Sequence, residues 1–213
     1  MHEPAQYGPD GQTVRLAAQC ADMAGCSLGE WLGGGGHGDV FALSDGTALK
    51  LTDCSFEAAI CLYLSEAESL PPHLPRIFSV SAHRVDPDGE AYAIHREQLS
   101  PFTVPAGIDA EEMDDAVAGL RIALLCANEA TTAASLDRIR SLGAPAVASS
   151  LETLAAGLRR DGYEMQDLKI ENLGLRDTTP VFLDLGGLRG LRRGFFDELM
   201  PFLERLTVKV AKA

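Results

Sequence analysis

Short apolar runs bounded by turn residues fill the first half of the chain, and stretches with apolar residues every three or four positions fill the second. Trp31-Leu32, Val40-Phe41-Ala42-Leu43 and Thr47-Ala48-Leu49-Lys50-Leu51 read as strands, the last two joined by Ser44-Asp45-Gly46-Thr47, an Asp-Gly hairpin turn. Lys50 alternates with Leu49 and Leu51, so its side chain faces away from theirs. Phe56, Ile60, Tyr63 and Leu64 recur at helical spacing and predict a helix over Ser55 to Glu68, with Ser55 as N-cap and Pro71-Pro72 as the stop. Leu74 to Val80 and Ala91 to His95 predict two more strands, joined by a turn at Asp86-Pro87-Asp88-Gly89. A small antiparallel sheet with one helix is expected from this half.

In the second half Met113, Val117, Leu120 and Leu124 form one helical stripe, and Val147, Leu151, Leu154 and Leu158 form another. Both read as core packing. Thr131 to Leu142 reads as a shorter helix ending at Gly143. Gly194 to Ala213 offers one apolar helix or two around Pro201, carrying Phe195, Phe196, Leu199, Phe202 and Leu206. At the other end, the turn cluster Tyr7 to Gly11 and the run Val14 to Ala18 suggest a flexible start and a short element of uncertain type. The expectation is an α+β chain in three parts: an extension over 1–27, a sheet part over 28–98 and a helical part over 99–213.

Composition narrows the function classes. With 46% hydrophobic and 23% charged residues, the 213-residue chain has the material for a globular core. A formal net charge of −13 argues against general binding to nucleic acid or anionic membranes, and leaves room for a basic partner. The five cysteines are odd in number and form no C-x-x-C pair, which points to reduced thiols and a cytoplasmic protein. No apolar run approaches the roughly 18 residues of a membrane helix, and no secretory signal is visible.

Three stretches carry candidate chemistry. Gly33, Gly35 and Gly38, followed by Val40, spell G-x-G-x-x-G-x-V between two strands. A dinucleotide fingerprint leads into a helix, and a Walker loop needs Gly-Lys-Ser/Thr; neither follows here. His37, at the tip, reads as a solvent-facing loop residue. The second stretch is the polar loop Asp167-Leu168-Lys169-Ile170-Glu171-Asn172. The third is Val181-Phe182-Leu183-Asp184-Leu185-Gly186, where a second acid closes an apolar run beside two glycines. Asp167, Asn172 and Asp184 are the right donors for a phosphate-bound metal, with Lys169 a nearby cation.

Together with Lys50 on its strand and Glu57 on the following helix, these motifs resemble, in order, those of the protein kinase-like superfamily. The likeness covers about residues 28 to 190. It implies a bilobal fold, with a small antiparallel-sheet N-lobe plus one helix and a reduced helical C-lobe, linked by a hinge over His95 to Pro101. It implies ATP and Mg²⁺ as cofactors, with Gly33, Gly35, Gly38, Val40, Ala48 and Lys50 around the nucleotide. Glu57 would hold Lys50, with Glu66 and Glu68 as alternatives. Asn172 and Asp184 would bind the metal, Asp167 would orient the acceptor hydroxyl, and Lys169 would sit near the transferred phosphoryl.

Departures from the family pattern are equally specific. Met165-Gln166 stand where His-Arg normally precede the catalytic Asp, so the usual anchor of a phosphorylated activation loop is missing. Asp184-Leu185-Gly186 replaces Asp-Phe-Gly. In a chain of 213 residues only 27 follow Gly186, without Ala-Pro-Glu, so the expectation is a minimal kinase lacking activation segment and late helices. In this it resembles truncated bacterial kinases such as the compact secreted effectors of enteric pathogens, which would place it in a host cytosol if delivered. The first expectation is phosphoryl transfer to protein Ser/Thr by a monomer, with a protein substrate or activating protein as partner. A pseudokinase binding module and an aminoglycoside-like small-molecule phosphotransferase are the alternatives.

Overall fold

The computed structural model describes residues 8–36, 38–85, 89–191 and 194–210. The chain is α+β and divides into two compact units. The first gathers the described residues within Met1–Ala67, Arg76–Gln98 and Leu199–Ala213, the second those within Glu68–Pro75 and Leu99–Glu198.

The first unit is a five-stranded antiparallel sheet between two helices. In chain order its elements are α1 (Gly11–Met23), β1 (Leu28–Gly35), β2 (Gly38–Leu43), β3 (Thr47–Thr52), α2 (Ser55–Ser65), β4 (Ile77–Arg84) and β5 (Glu90–Glu97). The strands lie in the order β1-β2-β3-β5-β4. The period-two alternation of β3 sorts its faces. Leu49 and Leu51 join Phe41, Leu43 and Ala93 in a core covered by Ala17, Cys20 and Ala21 of α1. Lys50 points to the other face, where α2 lies. Helix α1 is where the uncertain element was expected, and it gives the sheet a second helix. Asp10 caps it, accepting from the amides of Gln12 and Thr13. Small residues on one face let it lie close to the sheet, and that spacing of alanines and a cysteine gives a weak signal in sequence.

Several boundaries differ from expectation, among them that of β4, which begins at Ile77 rather than Leu74 and runs on to Arg84. Helix α2 is capped by the Cys54 thiol, which accepts from the Glu57 amide at 3.4 Å, rather than by Ser55. It stops at Ser65, well short of Glu68 and of the prolines. Strand β5 runs on through Glu97, with His95 paired to Leu49 and Arg96 to Ala48, so the chain leaves the sheet two residues later than its polar composition suggested. Arg96 is buried there despite its charge. The expected turn at 86–88 and His37 lie outside the described residues.

The second unit holds β6 (Ser100–Pro101), α3 (Ala110–Leu125), α4 (Glu129–Ser141), α5 (Pro145–Arg160), β7 (Tyr163–Met165), β8 (Leu173–Arg176), β9 (Thr179–Phe182) and β10 (Leu188–Gly190). Helices α3 and α5 fall where the two apolar stripes put them, and α4 covers most of the shorter helix expected over Thr131 to Leu142. On α5 all four stripe residues are buried; on α3 Leu124 is only half-buried, and Ala116 and Ala123 complete the packed face. The small sheets β6-β8-β9 and β7-β10 were not expected. Their strands of two to four residues are too short to show a period. They matter because they hold the polar loop. His73 braces this unit: its Nδ1 lies 2.8 Å from the Pro180 carbonyl oxygen, and its own carbonyl accepts from the Phe182 amide. Any side chain at Gly157 of α5 would run into its ring.

Helix α6 (Phe195–Val210) is one helix with Pro201 inside it. Its start belongs to the second unit, where Phe195 stacks edge-on against Tyr163. From Leu199 onward it belongs to the first, where Phe202 meets Tyr63 and Arg205 forms two hydrogen bonds to Glu66. Among the described residues no helix is long and apolar enough to cross a membrane.

Candidate functional site

The expected site residues fall into two sets, one in each unit. In the first, β1 and β2 form a hairpin whose glycines bring the strands together. Gly33 and Gly38 adopt φ of +146° and +141°, a region that disfavours side chains. A Cβ at Gly38 would meet the Leu51 carbonyl oxygen of β3. Gly35 differs, because a side chain there would meet nothing within 4 Å. Trp31 Nε1 donates to Asp39 Oδ1 at 2.9 Å and ties the two strands together. Val40 stands opposite Lys50 in the ladder, and Ala48, two residues before Lys50 on the same strand, is buried.

Lys50 Nζ lies 2.6 Å from Glu57 Oε1. The lysine side chain is 11% exposed and the glutamate 1%. The second carboxylate oxygen, Oε2, is buried without a hydrogen-bond partner. Glu66 is engaged by Arg205 instead, and Glu68 lies beyond the end of α2, so Glu57 is the glutamate that reaches the lysine.

In the second unit the backbone stitches two loops together. The Leu183 amide donates to the Asn172 carbonyl at 2.8 Å, and the Gln166 amide donates to the Gly187 carbonyl at 2.7 Å. Met165 pairs with Leu188 just beyond. Asp167 and Asp184 both flank Gly187: a Cβ there would come within 3.0 Å of Asp167 Cβ and 3.5 Å of Asp184 Oδ2. Glycine at 187 therefore lets the two acid-bearing loops close up.

Asp167 is the centre of this set. Its Oδ2 receives Lys169 Nζ at 2.9 Å and Asn172 Nδ2 at 3.3 Å, and Asn172 Nδ2 also donates to the Asp167 carbonyl at 2.9 Å. Its Oδ1 lies 3.5 Å from Arg121 Nη1 of α3. The hydrogen bond to Asp167 raises the Lys169 pKa and keeps the ammonium charged. Arg121 carries no signal in the sequence, where it is one polar residue on a helix marked by its apolar stripe. Gly187 stands out in the sequence only as a near neighbour of Asp184.

The donors suit Mg²⁺ rather than a softer metal. Asp184 offers carboxylate and Asn172 an amide oxygen, with Asp167 close by, all of them hard oxygen ligands. No group of three or more His, Cys, Asp or Glu among the described residues could hold a metal by itself. Mg²⁺ commonly takes one or two carboxylates and completes its shell with phosphate oxygens and water. The chain matches no protein-family model and no curated protein.

Proposed function

We propose that this chain is an ATP- and Mg²⁺-dependent phosphotransferase with a bilobal protein kinase-like fold, transferring the terminal phosphoryl group to Ser or Thr of a protein. The observation that carries the reading is the Lys50–Glu57 pair at 2.6 Å. Desolvating two charges generally offsets their attraction, so a buried ion pair is a poor device for stability and calls for another purpose. Holding a lysine rigid for phosphate is such a purpose. The glycine hairpin and the oxygen-donor set around Asp167 support the same reading.

In this scheme the backbone amides of the glycine hairpin and Lys50 take the phosphates. Asp184 and Asn172 hold Mg²⁺, which neutralises charge on the phosphates when bound. Asp167 accepts the hydrogen bond of the acceptor hydroxyl and orients it, and Lys169 offsets charge on the moving phosphoryl. Most of the acceleration would be electrostatic and positional. The intact lysine, both aspartates and the asparagine favour this over a pseudoenzyme, and the lysine two residues after Asp167 favours a protein acceptor over a small molecule.

Intact mass of the protein, with and without a generic acceptor protein, after incubation with Mg-ATP tests the proposal. One phosphoryl group gained by wild type, and lost with EDTA or in Asp184→Ala, is expected. Removal of one such electrostatic group costs about 10²–10³ in rate. Tight Mg-ATP binding with no transfer to any acceptor would turn the reading towards a nucleotide-binding module.

A further inference from the structure

The sheet of the first unit carries a second buried cation on the same face as Lys50. Arg96 of β5 is 7% exposed, and taking a charge that far out of water is costly. In the β3–β5 ladder Arg96 stands opposite Ala48, and Ile94 stands opposite Lys50. Partners in an antiparallel ladder share a face, so all four side chains project on the α2 side. The charge of Arg96 accordingly reaches the Cys61 thiol of α2. Along its row of the sheet Arg96 has Ile77 on one side and Ala48, then Ala42, on the other, so the guanidinium is the polar group of an apolar row. From Lys50 it lies on the diagonal, about 7–8 Å away.

We propose that Arg96 reads the base of the nucleotide and admits a 6-oxopurine, so that GTP serves as phosphoryl donor as well as ATP. With phosphates at Lys50, the base falls two residues back along β3, at the row of Ala48 and Arg96. Two residues of strand span about 7 Å, close to the reach of a ribose. The small side chain of Ala48 leaves room there for a flat ring. A guanidinium offers donors and no acceptor. Guanine presents two acceptors side by side, O6 and N7, and takes the arginine fork bidentately. Adenine carries an amino group at the 6-position, so one arm of the fork would face another donor and only N7 could accept. The inference rests on the phosphotransferase reading for the place of the phosphates, but base preference is measurable as binding, without transfer.

The test compares the magnesium complexes of ATP, GTP and ITP, the last keeping the 6-oxo group of guanine without its 2-amino group. Titration calorimetry reports binding, and intact mass of a generic acceptor protein reports transfer. In wild type GTP and ITP are expected to bind at least as tightly as ATP. In Arg96→Met the GTP-to-ATP affinity ratio should fall by roughly tenfold or more, the discrimination that one bidentate pair supplies. Arg96→Lys, which keeps the charge and loses the fork, should fall part of the way. Arg84→Met removes an exposed cation at the end of β4 and should keep the ratio. Should Arg96→Met fail to fold, the wild-type series decides alone, because ATP bound with GTP and ITP refused overturns the assignment. An unchanged ratio in a folded Arg96→Met, or GTP bound and ITP refused, overturns it as well. A 6-oxopurine preference without transfer to any acceptor would sustain the role of Arg96 and sink the phosphotransferase reading. Transfer from ATP alone would do the reverse, and no nucleotide binding at all would overturn both.

Discussion

Lys50 Nζ sits 2.6 Å from a Glu57 carboxylate that is 1% exposed, across the interval between β3 and α2. Removing the lysine leaves an almost completely buried charge, and breaking such a pair costs about 3–5 kcal/mol. Lys50→Met should lower the unfolding free energy obtained from urea titration by that amount. Lys50→Met/Glu57→Leu, which removes both charges, should recover most of it. Phosphoryl transfer should be absent from both variants. A double variant as unstable as the single one would show that the pair holds the fold, against the functional purpose argued for it.

The glycine hairpin divides by position. Gly38 has φ of +141°, and a Cβ on it would run into the Leu51 carbonyl oxygen, which is backbone and cannot move aside. Gly38→Ala should therefore cost about 3 kcal/mol or more, from strain and overpacking together. Gly35→Ala faces open space and should change stability by no more than about 0.5 kcal/mol. Its effect should appear as a raised KM for ATP, because its amide is among those assigned to the phosphates. Thermal melts and ATP kinetics on the two variants separate the cases, and a Gly35→Ala protein with unchanged KM would remove that glycine from the site.

How much of this was legible in the sequence depended on how local the signal was. Strands β2 and β3, the Asp45-Gly46 turn, α3, α4 and α5 follow from period and punctuation, which neighbouring residues supply. The pairing of Lys50 with Glu57 was legible as one of three options, because a helix start places its first-turn acid close to the preceding strand. Helix α1 was not legible as a packed element, since alanines and a cysteine carry a weak hydrophobic signal until a sheet covers them. Arg121 was invisible for a different reason. It meets Asp167 across 46 positions of chain, and no local pattern marks such a contact. The short strands that stitch the Asp167 and Asp184 loops together are likewise defined by their partners.

Arg121 leads to its own prediction. Its guanidinium lies 3.5 Å from Asp167 Oδ1, with both side chains about a third exposed, so the contact steadies the carboxylate without contributing much energy. Exposed pairs of this kind are worth about 0.2–1 kcal/mol. Arg121→Met should lower kcat by up to about fivefold and leave KM for ATP unchanged, and Arg121→Lys should restore part of the rate. In an Asp167→Asn background the Arg121 substitution should have no further effect, because its influence passes through that carboxylate. Additive losses in the double variant would mean that Arg121 acts on something other than Asp167.

Alkaline pH should weaken the α1 face of the sheet. Cys20 is 4% exposed, with its Sγ 3.4 Å from His83 Nε2, and Ser81 Oγ lies 2.8 Å from the same nitrogen. Burial pushes the Cys20 thiol from its ordinary 9.0 up to about 11. The folded protein thus binds this proton more tightly than the unfolded chain does. Below pH 9 both states hold it, and the group has no effect on the pH dependence. As pH rises from 9 to about 11 the unfolded chain gives it up first, and stability falls. Cys61 and Tyr92 are shifted in the same direction by burial, so wild type should lose stability across this range for several reasons at once. The Cys20 share is the difference between wild type and Cys20→Ala. Urea midpoints measured from pH 8 to pH 11 should fall less steeply in the variant. Identical slopes would show that the thiol reaches solvent and that α1 does not seal this face of the sheet.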